Sequence, residues 1–294
     1  MIGEGEGILP NPDGTVSEWI TWGERMLRTL PEDGSREARS FLAELLSDPL
    51  SPWTKGNTPL SSEQSAVYRN WIIRRSKREP FHLVTGSVPF MGRKFRIGQG
   101  VLVPRPETEV LLASLQEALE GKEPARILDM GSGSGVLIVS LLLMFPDSIG
   151  VAVDRWPSPL FWTKENARLN GVENRLIRVC GDWTEMLGNG EMFDLLVANP
   201  PYISSHAIPS LSPEIRLFEP KEALDGGMDG LDFYRRLLPV LPGLLKQGGL
   251  AAVEIGGDQG AFFRSSSGCV AGCIGPWVIK DVGGHERVVL WKKG

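Results

Sequence analysis

Histidine, tyrosine and cysteine are scarce in this chain, with three of each among 294 residues. An odd number of cysteines in no metal-type spacing makes no disulfide framework and fits a reducing compartment. His82, His206 and His285 share no ligand spacing and Cys269-x-x-x-Cys273 lacks partner residues, so no metal site is expected. Basic excess is missing too. With 31 Lys and Arg against 36 Asp and Glu, the net charge is −5, which argues against a chain built mainly to neutralise phosphates and against a stable nucleic-acid partner. No segment reaches the length of a membrane span, and Met1-Ile2-Gly3-Glu4-Gly5-Glu6-Gly7 has neither a basic start nor an apolar continuation; the expectation is a cytoplasmic protein with no membrane partner. A serine nucleophile elbow is absent as well, because Gly133 occupies the central position of Gly131-Ser132-Gly133-Ser134-Gly135.

What the chain does have is glycine, 35 residues, placed between apolar runs. Residues 1–15, rich in Gly, Pro and acid, read as a flexible tail. Residues 16–80 carry helical periodicity: Ser17 precedes Trp19, Ile20, Trp22, Met26, Leu27 and Leu30, Ser35 precedes Ala38, Phe41, Leu42 and Leu45, and Ser61-Ser62-Glu63 opens a helix through Ile72. Residues 81–105 alternate like strands, with Gly86, Gly92, Gly98 and Gly100 as turns, and read as a β-hairpin linker. Over 106–294, strands near 126–130, 149–153, 175–180, 192–198, 249–255, 277–282 and 287–292 alternate with helical stretches. This pattern predicts an α/β fold: a doubly wound, mostly parallel seven-stranded sheet with a small N-terminal helical domain.

Two motifs in the α/β part carry chemistry. Ala125–Met130 reads as a strand, the glycine turn follows, and Val136–Phe145 continues as a helix, which together make a nucleotide-type cradle at a helix N-terminus. The third glycine of a dinucleotide fingerprint is lacking, since Val136 or Ile138 stands in its place, so NAD and FAD are disfavoured. Asp154 ends the next strand, placed to accept from both ribose hydroxyls, and a ribose-bearing cofactor without a pyrophosphate fits. The other motif is Asn199-Pro200-Pro201-Tyr202 after the apolar strand 192–198. Two prolines remove two backbone donors, so the corner presents carbonyl oxygens and the Asn199 side-chain oxygen to a substrate NH2, with Tyr202 as a flat wall.

Taken in order, these motifs resemble the class I S-adenosylmethionine-dependent methyltransferases. Within that class, Val101–Glu109, Asn199–Ile203, Phe218-Glu219-Pro220, Gly226–Leu231 and Glu254-Ile255-Gly256 look like the HemK/PrmC family, from about residue 65 to the C-terminus. The chain departs from that pattern at Leu83, at Arg155-Trp156 and at Pro159, Phe161 and Trp162.

The resemblance implies methyl transfer from S-adenosylmethionine to the glutamine amide of the Gly-Gly-Gln loop of peptide chain release factors. It implies catalytic Asn199, Pro200 and Tyr202. The cofactor would be held by Asp129, Gly131, Ser132, Gly133, Ser134, Gly135, Asp154, Asp182, Trp183 and Asn199, and the substrate by Arg105, Glu107 and Asn199–Tyr202. Asp129 would bond the glycine turn or the cofactor's amino end, while Asp182-Trp183 either bounds the adenine or belongs to the core. The basic stretch Arg69, Arg74, Arg75, Lys77, Arg78, Arg93, Lys94 and Arg96 is either a solvated face or a contact surface for a release factor or ribosomal RNA. Two rivals stay open: an adenine-N6 methyltransferase of DNA or RNA that uses the same corner on a flipped base, and a non-catalytic cofactor-binding scaffold.

Overall fold

The computed structural model describes residues 9–31, 33–182, 190 and 192–294. The chain divides into two units: one runs to Gly86 and also includes Ser212–Phe218, and the other holds Ser87–Leu211 and Glu219–Gly294.

The first unit is helical, with α1 (Val16–Leu27), α2 (Gly34–Leu45), α3 (Ser51–Thr54), α4 (Ser62–Ser76) and α5 (Phe81–Thr85). Each long helix starts where a side chain satisfies its free N–H groups. Thr15 and Glu18 close a capping box on α1, Asp33 caps α2, and Ser61 and Gln64 close a second box on α4. The caps of α1 and α2 therefore fall two residues before Ser17 and Ser35, because at Thr15 the reciprocal partner stands three residues on and at Asp33 a carboxylate faces two amides. Trp19, Phe41, Tyr68 and Ile72 fill the core, and the Tyr68 hydroxyl donates to the Ala38 carbonyl at 3.0 Å.

Three of the basic residues noted in the sequence are structural. Arg74 pairs with Glu79, and the Arg75 guanidinium, 2% exposed, donates to Glu37 at 2.7 Å and to Glu214 at 3.0 Å. Arg78 reaches the other Glu214 oxygen at 2.6 Å. Glu214 belongs to the short helix Pro213–Phe218, so that excursion from the α/β sequence is tied into the helical unit by a buried charge cluster.

Phe81–Thr85 is a helix where alternation predicted strand. Phe81 and Val84, three residues apart, both face the helical core, and Gly86 ends the turn at φ 77°. The hairpin is confined to β1 (Ser87–Phe90) and β2 (Arg93–Arg96).

The second unit is built on a seven-stranded sheet. Its strands are β3 (Arg126–Met130), β4 (Ile149–Asp154), β5 (Leu176–Cys180), β6 (Phe193–Ala198), β7 (Leu245–Glu254), β8 (Cys273–Lys280) and β9 (Glu286–Lys293), in the order β5-β4-β3-β6-β7-β9-β8. Only β9 breaks the parallel run, being antiparallel to both of its neighbours, β7 and β8. The predicted doubly wound, mostly parallel sheet is what the chain forms. Helices α6 (Glu109–Ala118), α7 (Val136–Met144) and α8 (Pro157–Leu169) cover it. Helix α7 is apolar on nearly every face and accordingly buried from Val136 to Leu142.

Candidate functional site

Register brings the sequence motifs into one row. Met130, the last residue of β3, pairs with Val153 of β4 on one side and with Ala198 of β6 on the other. The next residues are Gly131, Asp154 and Asn199, so all three stand at the C-terminal edge of adjacent strands. Strand order reverses here, since β4 and β5 continue to one side of β3 and β6 and β7 to the other. Crevices of open α/β sheets form at that reversal. A cavity of about 680 Å³ occupies it.

The glycine turn adopts left-handed backbone at Gly131 (φ 71°), Gly133 (φ 56°) and Gly135 (φ 80°). At Gly135 glycine is required twice over, because a Cβ there would also come 2.9 Å from Thr163 Cγ2. At Gly131 a Cβ would meet nothing within 4 Å, so the open side of the loop is free for a ligand to approach its backbone. Helix α8 braces the loop from behind. Thr163 Oγ1 donates to the Gly133 carbonyl at 2.9 Å and Asn166 Nδ2 to the Ser134 carbonyl at 2.8 Å. Asn166 also exchanges hydrogen bonds with the backbone of Arg96 on β2, which joins hairpin, helix and loop.

Two carboxylates flank the loop in different conditions. Asp154 accepts from the amides of Gly133 at 3.0 Å and Trp156 at 3.1 Å, one on each oxygen. Burial raises its pKa while those amides lower it. Asp129, 1% exposed, has no hydrogen-bond partner on either oxygen among the described residues. Burial first, then the like charge of Asp154, push its pKa up to about 8, against a small opposing pull from the Ile138 amide. The glycine turn takes its carboxylate from Asp154, leaving Asp129 unengaged.

The Asn-Pro-Pro-Tyr corner is held from below and beside. The amide of Ile203 donates to the Leu224 carbonyl and that of Gly226 to the Ile203 carbonyl, at 3.0 and 2.8 Å. Gln259 Nε2 bonds the carbonyls of Tyr202 and Gly230, each at 3.0 Å. Asn199, Pro200 and Pro201 line the cavity. Asn199 Nδ2 donates to Thr108 Oγ1 at 3.1 Å, and Asn199 Oδ1 is buried without a partner among the described residues. An acceptor left bare in this way is costly unless a donor arrives.

Gly131, Ser132, Gly133, Ser134, Asp154, Asp182, Asn199, Pro200 and Pro201 all face the cavity. Tyr202 does not: its ring packs against the core of the sheet and its hydroxyl donates to Glu254 Oε1 at 3.1 Å. Gly135 and Asp129 are not among the residues that line the cavity. Arg105 and Glu107 are outside the lining; the Arg105 guanidinium is bound to both oxygens of buried Glu219 at 2.6 and 2.8 Å, and Glu107 is exposed. Asp182 is clamped by Arg236 at 2.7 Å to each oxygen, and Trp183 lies outside the described residues. Sequence reasoning did not select Thr108, Leu102, Phe233 and Arg236, which also line the cavity. Thr108 was within reach, inside the run Val101–Glu109; Phe233 and Arg236 sit in a short helix, Asp232–Leu237, that carries no chemical signature. Among the described residues, no group of three or more His, Cys, Asp or Glu could hold a metal ion. No described helix is long and apolar enough to cross a membrane.

Comparison with known proteins agrees across the chain's length. A family model described as the PrmC N-terminal domain matches residues 18–86, and one described as ribosomal protein L11 methyltransferase (PrmA) matches residues 105–223. A release factor glutamine methyltransferase of Caulobacter vibrioides is 37% identical over 290 residues, covering 95% of this chain and 96% of the relative. Its counterpart in Moorella thermoacetica is 41% identical over 228 residues, 77% of this chain and 80% of that one. A third, from Geobacter sulfurreducens, is 37% identical over 271 residues, 88% and 91%.

Proposed function

Because the chain belongs to the release factor glutamine methyltransferase family, we propose that it transfers a methyl group from S-adenosylmethionine to the side-chain amide nitrogen of the glutamine in the Gly-Gly-Gln motif of peptide chain release factors. One observation carries the reading: a buried, partnerless acceptor, Asn199 Oδ1, at the strand end next to a glycine cradle.

The residues present fit the cofactor. The open side of Gly131, the acidic Asp154 at the end of β4 and the unengaged Asp129 carboxylate suit a nucleoside with an amino acid attached. Asp154 keeps lone pairs for ribose hydroxyls beyond its two amide bonds, and Asp129 offers two free oxygens to an ammonium. Trp156 and Pro159, which stand where the chain departs from its family pattern, supply flat apolar wall to the same cavity. When bound, S-adenosylmethionine supplies a methyl group already activated on a sulfonium sulfur.

What remains for the protein is to make a poor nucleophile usable. The lone pair of an amide nitrogen is delocalised into its carbonyl. Asn199 Oδ1 and the Pro200 carbonyl accept the two N–H bonds, draw electron density onto nitrogen and fix its approach. Orientation and preorganised dipoles in a sheltered cavity then supply the rate. No side chain has to remove a proton beforehand, because nitrogen becomes strongly acidic once methylated and its proton passes to water. In the same reading the helical unit recognises the release factor, and the protein works in the cytoplasm without a stable nucleic-acid partner.

Transfer of isotope-labelled methyl groups tests this, with release factor, DNA and RNA offered side by side. Label is expected on the glutamine of the release factor alone. Label on adenine, or on no substrate, would overturn the proposal.

A further inference from the structure

The Asn-Pro-Pro-Tyr corner has few handles by which the rest of the chain can hold it. Pro200 and Pro201 carry no backbone N–H, so through the middle of the corner the main chain can be held only by its carbonyl oxygens. The carbonyl that follows the prolines, that of Tyr202, is taken by Gln259. Its Nε2 donates one hydrogen to Tyr202 and the other to the Gly230 carbonyl, each at 3.0 Å.

A carboxamide can do this only with its NH2 toward the two carbonyls, and its two ends have nearly the same shape and opposite polarity. The turn after β7 makes the choice. The Gly256 amide donates to Gln259 Oε1 at 2.9 Å, and the Gln259 amide donates to the Gly256 carbonyl at 3.0 Å, so the side-chain oxygen is engaged inside the turn and the NH2 points away from it. Gln259 is 8% exposed, and its side-chain oxygen and both side-chain hydrogens have partners. A buried network completed in this way specifies one arrangement.

The two carbonyls belong to the two segments that bound one end of the cavity. Tyr202 follows Pro200 and Pro201, and Gly230 closes the loop 226–230, whose Gly226 and Gly227 line the cavity with them. These segments meet backbone to backbone. A Cβ at Gly226 would lie 2.6 Å from the Pro201 carbonyl oxygen, and one at Gly230, where φ is 77°, would strike the Tyr202 carbonyl and lie 2.7 Å from Gln259 Nε2. Two carbonyl oxygens converging on one point repel unless a donor stands between them, and Gln259 is that donor.

We propose that Gln259 is a positioning residue for methyl transfer: its NH2 pins the Tyr202 and Gly230 carbonyls together and so fixes the backbone that aims the Pro200 carbonyl at the substrate amide. The proposal rests on the reading of the Asn-Pro-Pro-Tyr corner as the acceptor site. It goes beyond that reading by placing control of the corner in a residue outside the cavity lining.

The test uses the full chain with Gln259→Met and Gln259→Glu beside the wild type. Gln259→Met keeps length and burial but has no donor. Its single-turnover methylation of a release factor at saturating cofactor is expected to be about ten- to a hundredfold slower, the scale on which small displacements of a reacting group are felt. Cofactor affinity in calorimetry and KM for the release factor should change little. Gln259→Glu gives a signature that loosened packing cannot. An ionised carboxylate faces the two carbonyls with no hydrogen to offer, whereas a protonated one donates to one of them and still accepts from Gly256. Its rate relative to the wild type at the same pH is therefore expected to rise as pH falls from about 9 to about 6, while the ratio for Gln259→Met stays flat. A wild-type rate in Gln259→Met, a loss of cofactor affinity as large as the loss of rate, or a Gln259→Glu ratio that does not move with pH overturns the proposal. A further readout needs neither variant nor substrate: the side-chain NH2 hydrogens of Gln259 in the wild type, assigned by NMR, should exchange slowly with solvent. Exchange at the rate of an exposed amide overturns the clamp. A wild-type chain that methylates no release factor yet protects these hydrogens overturns the substrate reading and upholds the clamp.

Discussion

Replacing Asp129 by Asn removes a buried ionisable group without changing shape, and its effect on stability is calculable in sign and scale. In the unfolded chain this carboxyl releases its proton near pH 4. In the fold it keeps the proton until about pH 8, because burial and the charge of Asp154 disfavour ionisation. Across that window the folded state holds more protons than the unfolded one, so stability falls as pH rises and levels off above pH 8. Each pH unit is worth about 1.4 kcal/mol, so raising pH from 5.5 to 7.5 costs the wild type about 2–3 kcal/mol at this position.

Asparagine does not titrate. At pH 5.5 the variant is already expected to be the more stable protein by about 2 kcal/mol, since the unfolded wild type has lost the proton that its folded state still holds. At pH 7.5 its advantage is expected to have grown by a further ~2–3 kcal/mol, to about 4–5 kcal/mol. Urea unfolding of the full chain at both pH values, read as wild type minus variant, cancels every other titrating group. A difference that is the same at both pH values would refute the assignment of a raised pKa to Asp129. Calorimetry adds a second arm. Binding of S-adenosylmethionine by the wild type at pH 7 should release up to about one proton, seen as a dependence of the heat on buffer ionisation, and the variant should bind more weakly and release none.

Asn199→Ala is expected to lower the methyl-transfer step by about 10²–10³ in single-turnover assays at saturating cofactor, with a smaller loss of cofactor affinity; a rate near wild type would remove the corner from catalysis. Asp154→Ala is expected to weaken S-adenosylmethionine binding by about 1.5–3 kcal/mol in calorimetry, through lost ribose contacts and through a glycine loop whose Gly133 amide has lost its acceptor; unchanged affinity would exclude the residue from the site. Tyr68→Phe, which leaves the Ala38 carbonyl without its buried side-chain donor, is expected to cost about 1 kcal/mol in urea unfolding with no change in cofactor affinity; a wild-type unfolding midpoint would contradict that bond.

The sheet was legible because parallel strands buried on both faces read as apolar runs, and the edge that holds the cavity was legible because Gly131, Asp154 and Asn199 each follow such a run. What escaped was everything fixed by side-chain direction. Periodicity places Tyr202 beside the corner, but not with its ring turned into the core and its hydroxyl toward Glu254. Motif reading put Arg105 and Glu107 at the substrate, whereas the Arg105 guanidinium is absorbed by Glu219, a partner 114 residues away in sequence. Charge runs misled for the same reason: Arg74, Arg75 and Arg78 look like a surface until their carboxylates appear, and the Glu214 partner of two of them is distant in the chain. At Phe81 strand-like alternation and helical spacing overlap, and packing of Phe81 and Val84 on one core decides for the helix.

The chain enters its helical unit twice, once at the start and again at Ser212–Phe218, where Glu214 meets Arg75 and Arg78. Inheritance acts on contiguous stretches of gene, and this unit is not one. A recombination that exchanged the first 86 residues for those of a relative would import a new set of cations and keep the old glutamate. The exchange would be tolerated only where both parents carry a matching pair. Arg75, Arg78 and Glu214 are thus bound to change together or not at all, and the helical part has to evolve as a limb of the α/β chain and not as a module added to it.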